Sequence, residues 1–208
     1  MQDGFGYNGE KRGDRMYKLC KTEESAARQR ALEQGLLQAM LTRPYEEISV
    51  SDLCARLDIP RKAFYRYFDG KEGALHALID HTFLSYESFS VARLGGPKRT
   101  LEGDLEQFFR FWIQQKPLLD AIRRSSLSGV LIERAIVNAT SGLTIPKRFL
   151  ELEEERMLEH VTMFGICGLM AMVLQWHHTG YSESARFMAS VAVRLLTRPL
   201  FPDAEKRI

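Results

Sequence analysis

Apolar positions recur with helical spacing along most of the chain. Leu32, Gly35, Leu36, Ala39 and Met40 fall at i, i+3, i+4, i+7 and i+8, which predicts an amphipathic helix starting near Thr22 or Ser25 and running to about Thr42. Arg43-Pro44 ends it. Val50, Leu53 and Leu57 share one face of a second helix. Ser49 opens that helix as an N-cap, its hydroxyl able to accept from a free backbone N–H. Asp52 sits in the first turn, where negative charge suits the helix dipole. Asp58-Ile59-Pro60 breaks the pattern, because proline cannot continue a helix and biases its predecessor towards extended geometry. A short helix is predicted over residues 61–68, with Phe64 and Phe68 inward and Arg61, Lys62, Tyr65 and Arg66 outward. Asp69-Gly70 is a turn. A long helix over residues 71–90 then carries Leu75, Leu78, Ile79, Thr82, Phe83 and Tyr86 on one face.

Leu94-Gly95-Gly96-Pro97 is the clearest break in the chain. Beyond it, residues 100–115 form a helix bearing Leu101, Leu105, Phe108, Phe109, Trp112 and Ile113. Lys116-Pro117 interrupts it, a short helix runs to about Arg124, and another spans 128–139. Residues 141–146 read as a loop. A long helix over 149–178 starts with Glu151, Glu153, Glu154 and Glu155 and has a middle that is apolar all round, which implies burial on all sides. Gly180 is a left-handed stop and Ser182 an N-cap for the last helix, residues 183–198. No internal repeat or strand pattern interrupts this sequence of helices. The fold class is therefore all-α, a three-helix helix-turn-helix head followed by a larger helical bundle. The segments are an arm (1–21), the head (22–72) and the larger domain (73–208), with the boundary inside the 71–90 helix.

Composition narrows the chemistry. The chain has 208 residues and a hydrophobic fraction of 45%, enough for a sizeable core. A net charge of +2 argues against a bulk polyelectrolyte binder, so any anionic partner must meet local charge. Such charge exists: between Pro60 and Phe68 there are three cations and no anion. A short second helix with a basic, tyrosine-bearing outer face fits the DNA-binding helix-turn-helix plan. Residues 1–21 read as a mobile arm whose cations, Lys18 and Lys21 among them, are diluted by Asp3, Glu10 and Asp14. Cys20, Cys54 and Cys167 are far apart and lack CxxC spacing; read as reduced thiols, and with no apolar leader over residues 1–7, they lead to the expectation of a cytoplasmic protein. The uncharged run over residues 161–176 is short of the roughly 20 residues needed to span a bilayer, so no membrane partner is expected.

Ser49-Val50, Leu53-Cys54-Ala55, the run from Ile59 through Phe68, and Lys71-Glu72 followed by Leu75 together resemble the N-terminal signature of the TetR family of bacterial transcriptional regulators. Its most distinctive part is the aromatic run Phe64-Tyr65-Arg66-Tyr67-Phe68 ahead of Lys71-Glu72. The resemblance covers about residues 25–83. Lys62, Ala63, Pro60 and Pro44 depart from it, standing where that family often has Gly, Ser or Thr, Ser, and Gly. The spacing of Phe164, Gly168, Trp176 and Gly180 is also similar to the tail of a subgroup related to dihydroxyacetone-kinase regulators. The first resemblance implies a homodimer on a near-palindromic double-stranded DNA operator, controlled by a small-molecule effector, with repression the usual outcome. By position, Arg61, Lys62 and Ala63 face base edges or nearby phosphates. Tyr65 and Arg66 match phosphate contacts of that family. Lys71 and the free N–H groups beside it can meet one phosphate, and Ser49 can add another contact or act as an N-cap alone.

The same resemblance puts an effector pocket inside the C-terminal domain. Phe108, Phe109, Trp112, Arg123, His160 and Phe164 are its candidates, although an aromatic stripe of this kind is more often core and the ionisable pair more often surface groups. The last two helices form an apolar hairpin with small residues, which either fills a core or pairs with a symmetry mate as a four-helix bundle; Gly165, Gly168, Met172, Trp176, Ala185, Met188, Ala192 and Leu196 are the dimer candidates. His177-His178 point about 100° apart on a helix and do not chelate as an i, i+4 pair would. With no HExxH, Cys pair, phosphate loop or nucleophile elbow in the sequence, no metal, cofactor or catalytic site is expected, and the chain is not read as an enzyme. Two other readings remain: one keeps the fold and replaces direct, effector-controlled DNA binding with recruitment of a protein partner, and the other is a helical enzyme with its active site in the larger domain, against which the lack of an acid–base or metal constellation argues.

Overall fold

The computed structural model describes residues 16–91, 100–141 and 155–198. Among them the secondary structure is helical. In order, α1 is Glu23–Met40, a 3-10 turn is Tyr45–Glu47, α2 is Val50–Arg56, α3 is Arg61–Phe64, α4 is Lys71–Val91, α5 is Leu101–Gln114, α6 is Lys116–Arg124, α7 is Ser128–Ser141, α8 is Glu155–His178 and α9 is Ala185–Thr197. Short polar side chains satisfy the free N–H groups at several helix starts. The Thr22 hydroxyl accepts from Ser25 N and the Thr100 hydroxyl from Gly103 N. Ser49 and Asp52 form a reciprocal capping box, each side chain accepting from the other's backbone N–H. Ser184, not Ser182, caps α9 by accepting from Phe187 N. The cause is upstream: Gly180 and Tyr181 both take positive φ, 72° and 59°, which extends the turn and delays the helix.

The chain divides into two compact units, and the division falls inside α4. One unit holds the described residues of Met1–Ser85 and Pro117–Thr144, the other those of Tyr86–Lys116 and Ile145–Ile208. Residues 117–141 thus group with the head rather than with the remainder of 73–208. The physical reason is a buried tie between α4 and α7. Asp80 is 3% exposed and accepts from Arg134 Nε at 2.8 Å and Nη2 at 2.5 Å, from Asn138 Nδ2 at 2.8 Å and from the Tyr17 hydroxyl at 2.7 Å. A buried carboxylate is tolerated when it is paired and its lone pairs are satisfied in this way.

The core of this first unit contains Leu36, Met40, Ile48, Leu53, Phe64, Phe68, Leu75 and Ile79, each almost fully buried. Gly35 lets α1 approach Leu57: a Cβ there would lie 2.7 Å from Leu57 Cδ1. The described end of the arm is seated on the head. Tyr17 is buried, Lys18 N donates to Tyr67 O at 2.8 Å, and Asp69 N donates to Met16 O at 3.0 Å. Those contacts give an antiparallel bridge between Tyr17 and Phe68.

In the second unit α5 packs along α9 and also meets α8. Phe108, Phe109, Phe111 and Trp112 are buried on α5. The Phe109 and Trp176 rings stack edge to face at 5.6 Å, as do those of Trp176 and Tyr181 at 5.0 Å. α8 is not buried on all sides. Ile166, Met170, Val173 and Trp176 face inward, while Phe164 is 70% exposed and Gly168 and Ala171 are exposed too. Ser141, predicted as the start of a loop, is the last residue of α7; the rest of that loop and the acidic helix start at Glu151, Glu153 and Glu154 fall on residues 142–154, outside the described ones.

Candidate nucleic-acid interface

The turn between α2 and α3 follows from three residues. Asp58 takes φ 51°, a left-handed conformation that a short polar side chain tolerates. Ile59 is half-buried, and Pro60 stands at the N-cap of α3 with no side-chain cap. Helix α3 is shorter than the sequence predicts. It ends at Phe64, and residues 65–67 continue as turns, because the pairing of Tyr67 and Asp69 with the arm pulls the chain out of helical register. Phe64 and Phe68, each 1% exposed, fix the inner side, and the Tyr67 ring is buried beside Phe68.

This bracing leaves Arg61, Lys62, Tyr65 and Arg66 exposed together, with Ala63 half-buried between them. Tyr65 is held upright. Its ring packs edge-on against Phe64 at 5.6 Å, and the Arg61 guanidinium lies 5.9 Å from its centroid, with Nη2 3.5 Å from its hydroxyl. Arg66 rims two grooves of about 230 Å³ each. One runs over Leu32, Leu57, Ile59 and Ala63 towards Arg28, and the other is bordered by Lys18 and Lys21. Arg28 is a cation the sequence pattern does not single out, since on α1 it looks like any residue of a polar face.

Ser49 and Lys71 are differently placed. The Ser49 hydroxyl is occupied as a cap, accepting from Asp52 N at 3.1 Å, although the residue is exposed. The reciprocal bond, Ser49 N donating to Asp52 Oδ2 at 3.0 Å, with the Ser49 side chain adding, holds the Asp52 carboxyl below its usual range. Lys71 Nζ donates to Tyr45 O at 2.6 Å and to Glu46 O at 3.5 Å, and it lies 4.1 Å from the Tyr45 ring centroid. Burial pulls its pKa down, with Glu46 opposing. Burial, with Glu72 and Glu46 adding, pushes Tyr45 up to about 12. Lys71 therefore staples the 3-10 turn to the start of α4, a partnership across 26 residues of sequence that helix spacing does not reveal.

The remaining candidates separate by burial. Phe108, Phe109 and Trp112 are core, whereas Arg123, His160 and Phe164 are exposed. Trp176 and Ala185 point inward and Met188 is half-buried. Gly165, Gly168, Met172, Ala192 and Leu196 instead line one apolar groove of about 110 Å³ with Phe164, Leu169 and Leu195. His177 is buried edge-on to Tyr181 and His178 is exposed. Among the described residues no group of three or more His, Cys, Asp or Glu is placed to hold a metal ion, and no helix is long and apolar enough to cross a membrane.

Residues 35–78 match the family model of the bacterial regulatory proteins of the tetR family. No curated protein matches the chain in sequence. Solved structures of similar fold include the dihydroxyacetone kinase operon activator DhaS, at 15% identity and a TM-score of 0.54, covering 82% of this chain and 94% of that one. A tetR-family transcriptional regulator from Streptomyces coelicolor gives 18% identity and a TM-score of 0.53, over 82% and 79% of the two chains. The fatty acid degradation regulator FadR from Bacillus halodurans gives 13% and 0.53, over 88% and 98%. At these identities the likeness is one of fold.

Proposed function

Starting from a chain that belongs, through its N-terminal head, to the TetR family of bacterial regulatory proteins, we propose that it binds a near-palindromic DNA operator as a homodimer and represses transcription under the control of a small-molecule effector. The observation that carries this reading is the outer face of α3 and its following turn. Three cations and Tyr65 stand exposed there with no acid between Pro60 and Phe68, on a segment locked from behind by Phe64 and Phe68. Arg61 and Lys62, at the start of α3, are the side chains for base edges, with Ala63 close to the groove floor. Tyr65 and Arg66 are phosphate contacts. Lys18 and Lys21 extend the same positive border, and Arg28, ion-paired to Glu24, rims the groove beside it. Lys71 and Ser49 serve chiefly to hold the head together, for their polar groups are already engaged.

Dimerisation is assigned to the α8/α9 groove around Phe164, because a phenylalanine 70% exposed beside Gly165 and Gly168 offers a close-packing apolar surface for a symmetry mate. Two heads would then sit about 34–36 Å apart, one DNA turn. Effector and operator would be coupled reciprocally through one two-state equilibrium.

Selection from random duplexes tests the reading. The expected product is a two-fold symmetric site, bound with a steep loss of affinity as salt rises. Arg66→Ala should reduce the log–log salt slope by about 1. A reporter driven by the selected site decides the sign of regulation, since one protein of similar fold is an operon activator. Selection that enriches no sequence would overturn the operator reading and turn the search to a protein partner.

A further inference from the structure

The described part of the arm makes more contacts than a tail needs, and they converge on the segment that follows α3. Lys18 N donates to Tyr67 O at 2.8 Å and Asp69 N donates to Met16 O at 3.0 Å. The next turn of contacts secures the strap from the other side: Gln29 Nε2 donates to Lys18 O at 3.1 Å, and Cys20 Sγ lies 3.0 Å from Gln29 Oε1. Between these, the Tyr17 ring is buried edge-on to His81 at 5.8 Å. Its hydroxyl donates to Asp80 at 2.7 Å, the carboxylate that Arg134 grips with two nitrogens.

A separate observation points the same way. Gly73 in the first turn of α4 lies so close to the strap that a Cβ there would stand 2.1 Å from Met16 O. The obstructing atom is backbone, so no side-chain rotation relieves the clash. Gly73 is the residue that lets the strap reach Tyr67 and Asp69.

We infer that residues 16–18 are a positioning strap for the recognition segment, with Tyr17 and Gly73 the residues that seat it. Through its backbone and the Tyr17 ring the strap sets the pose of residues 61–68 from behind, a role separate from any phosphate contact of the Lys18 side chain. Helix α3 has only four residues and no side-chain cap, too short to hold its own geometry. External bonds on Tyr67 and Asp69 supply what the helix lacks, and Asp80 anchors them to α4 and α7. This inference rests on the operator reading only for its consequence; the strap itself is testable on the free protein.

The experiment compares the full chain with Tyr17→Phe and Gly73→Ala. Tyr17→Phe keeps the ring and loses the bond to Asp80, whereas Gly73→Ala lifts the strap. The first readout is amide hydrogen exchange at Tyr65, Tyr67 and Phe68, whose N–H groups bond within residues 61–68 and not to the strap. The expected result is exchange faster by on the order of tenfold in Gly73→Ala and by less in Tyr17→Phe, with amides of α9 unchanged. The second is the ratio of affinity for the selected operator to that for a random duplex, well below the melting temperature. Positioning predicts that the ratio falls at least several-fold while the salt slope stays, since the phosphate-contacting cations remain. Exchange at those three amides unchanged when the Asp69 amide is freed overturns the inference. So does a variant with a lowered melting temperature and an unaltered ratio. If no operator exists, exchange alone decides, which separates failure of the strap from failure of the DNA reading.

Discussion

Glu33 shows how a residue that looks ordinary in the sequence carries a cost in the fold. It lies on α1, 1% exposed, with its carboxylate 2.9 Å from His81 Nδ1. Burial raises its pKa from 4.5, and the His81 hydrogen bond and charge, with Arg30, pull back only in part. A carboxyl raised in the folded state makes that state hold more protons than the unfolded chain. Its contribution to stability is therefore greatest below the unfolded value, near 4.5, and declines as pH rises through the folded value. Urea unfolding across an acid-to-neutral pH series should give a flatter dependence for Glu33→Gln than for the parent; parallel curves would refute the assignment. Nothing local in the sequence announces this pair, because its members are 48 residues apart. Asp80 and Arg134, 54 apart, were hidden for the same reason. The Ser49 cap was legible because a cap is decided within four residues, whereas Asp52, read as a charge on the dipole, also closes the box.

At the scale of elements, helices were readable and partners were not. The stripe from Leu32 to Met40 gave α1 to within two residues of its observed ends, and Pro60 placed the break before α3. Ser49→Ala removes half of the α2 capping box and should cost about 1 kcal/mol, read by chemical denaturation; no loss would mean that tertiary contacts alone hold α2. The seating of residues 16–18 was not legible because two bridging hydrogen bonds depend on where residues 67–69 come to lie, and Tyr17 by itself has no period. In α8 the sequence showed apolar residues on every side, and the fold separates them. Trp176, 2% exposed, belongs to the chain's own core, whereas Phe164 faces outward. The two should respond differently. Trp176→Ala should destabilise the fold by roughly 3–5 kcal/mol. Phe164→Glu should leave a folded chain and weaken self-association at least tenfold by sedimentation analysis. A folded Phe164→Glu dimer as tight as the parent would remove the α8/α9 groove from the interface.

For the whole molecule, a net charge of +2 is informative because it is unevenly spent. The outer face of residues 61–66 holds Arg61, Lys62 and Arg66 without an acid, and Lys18 and Lys21 border it, while Arg28 beside them is balanced by Glu24. That arrangement favours a partner met over one small face. The family match over residues 35–78 covers the part whose sequence pattern was sharpest. Residues 86–116 and 145–208 lie outside that match, and the aromatic stripe of α5 among them is buried. The central claim is that the exposed face of α3 and its turn docks on DNA. The most direct measurement is affinity for the selected duplex across a salt series, with Arg61→Ala, Tyr65→Ala and Arg66→Ala beside the parent. The account predicts tight binding that falls steeply with salt, weaker binding in all three variants, and a shallower slope for Arg66→Ala. Affinity and slope unchanged in all three would contradict it.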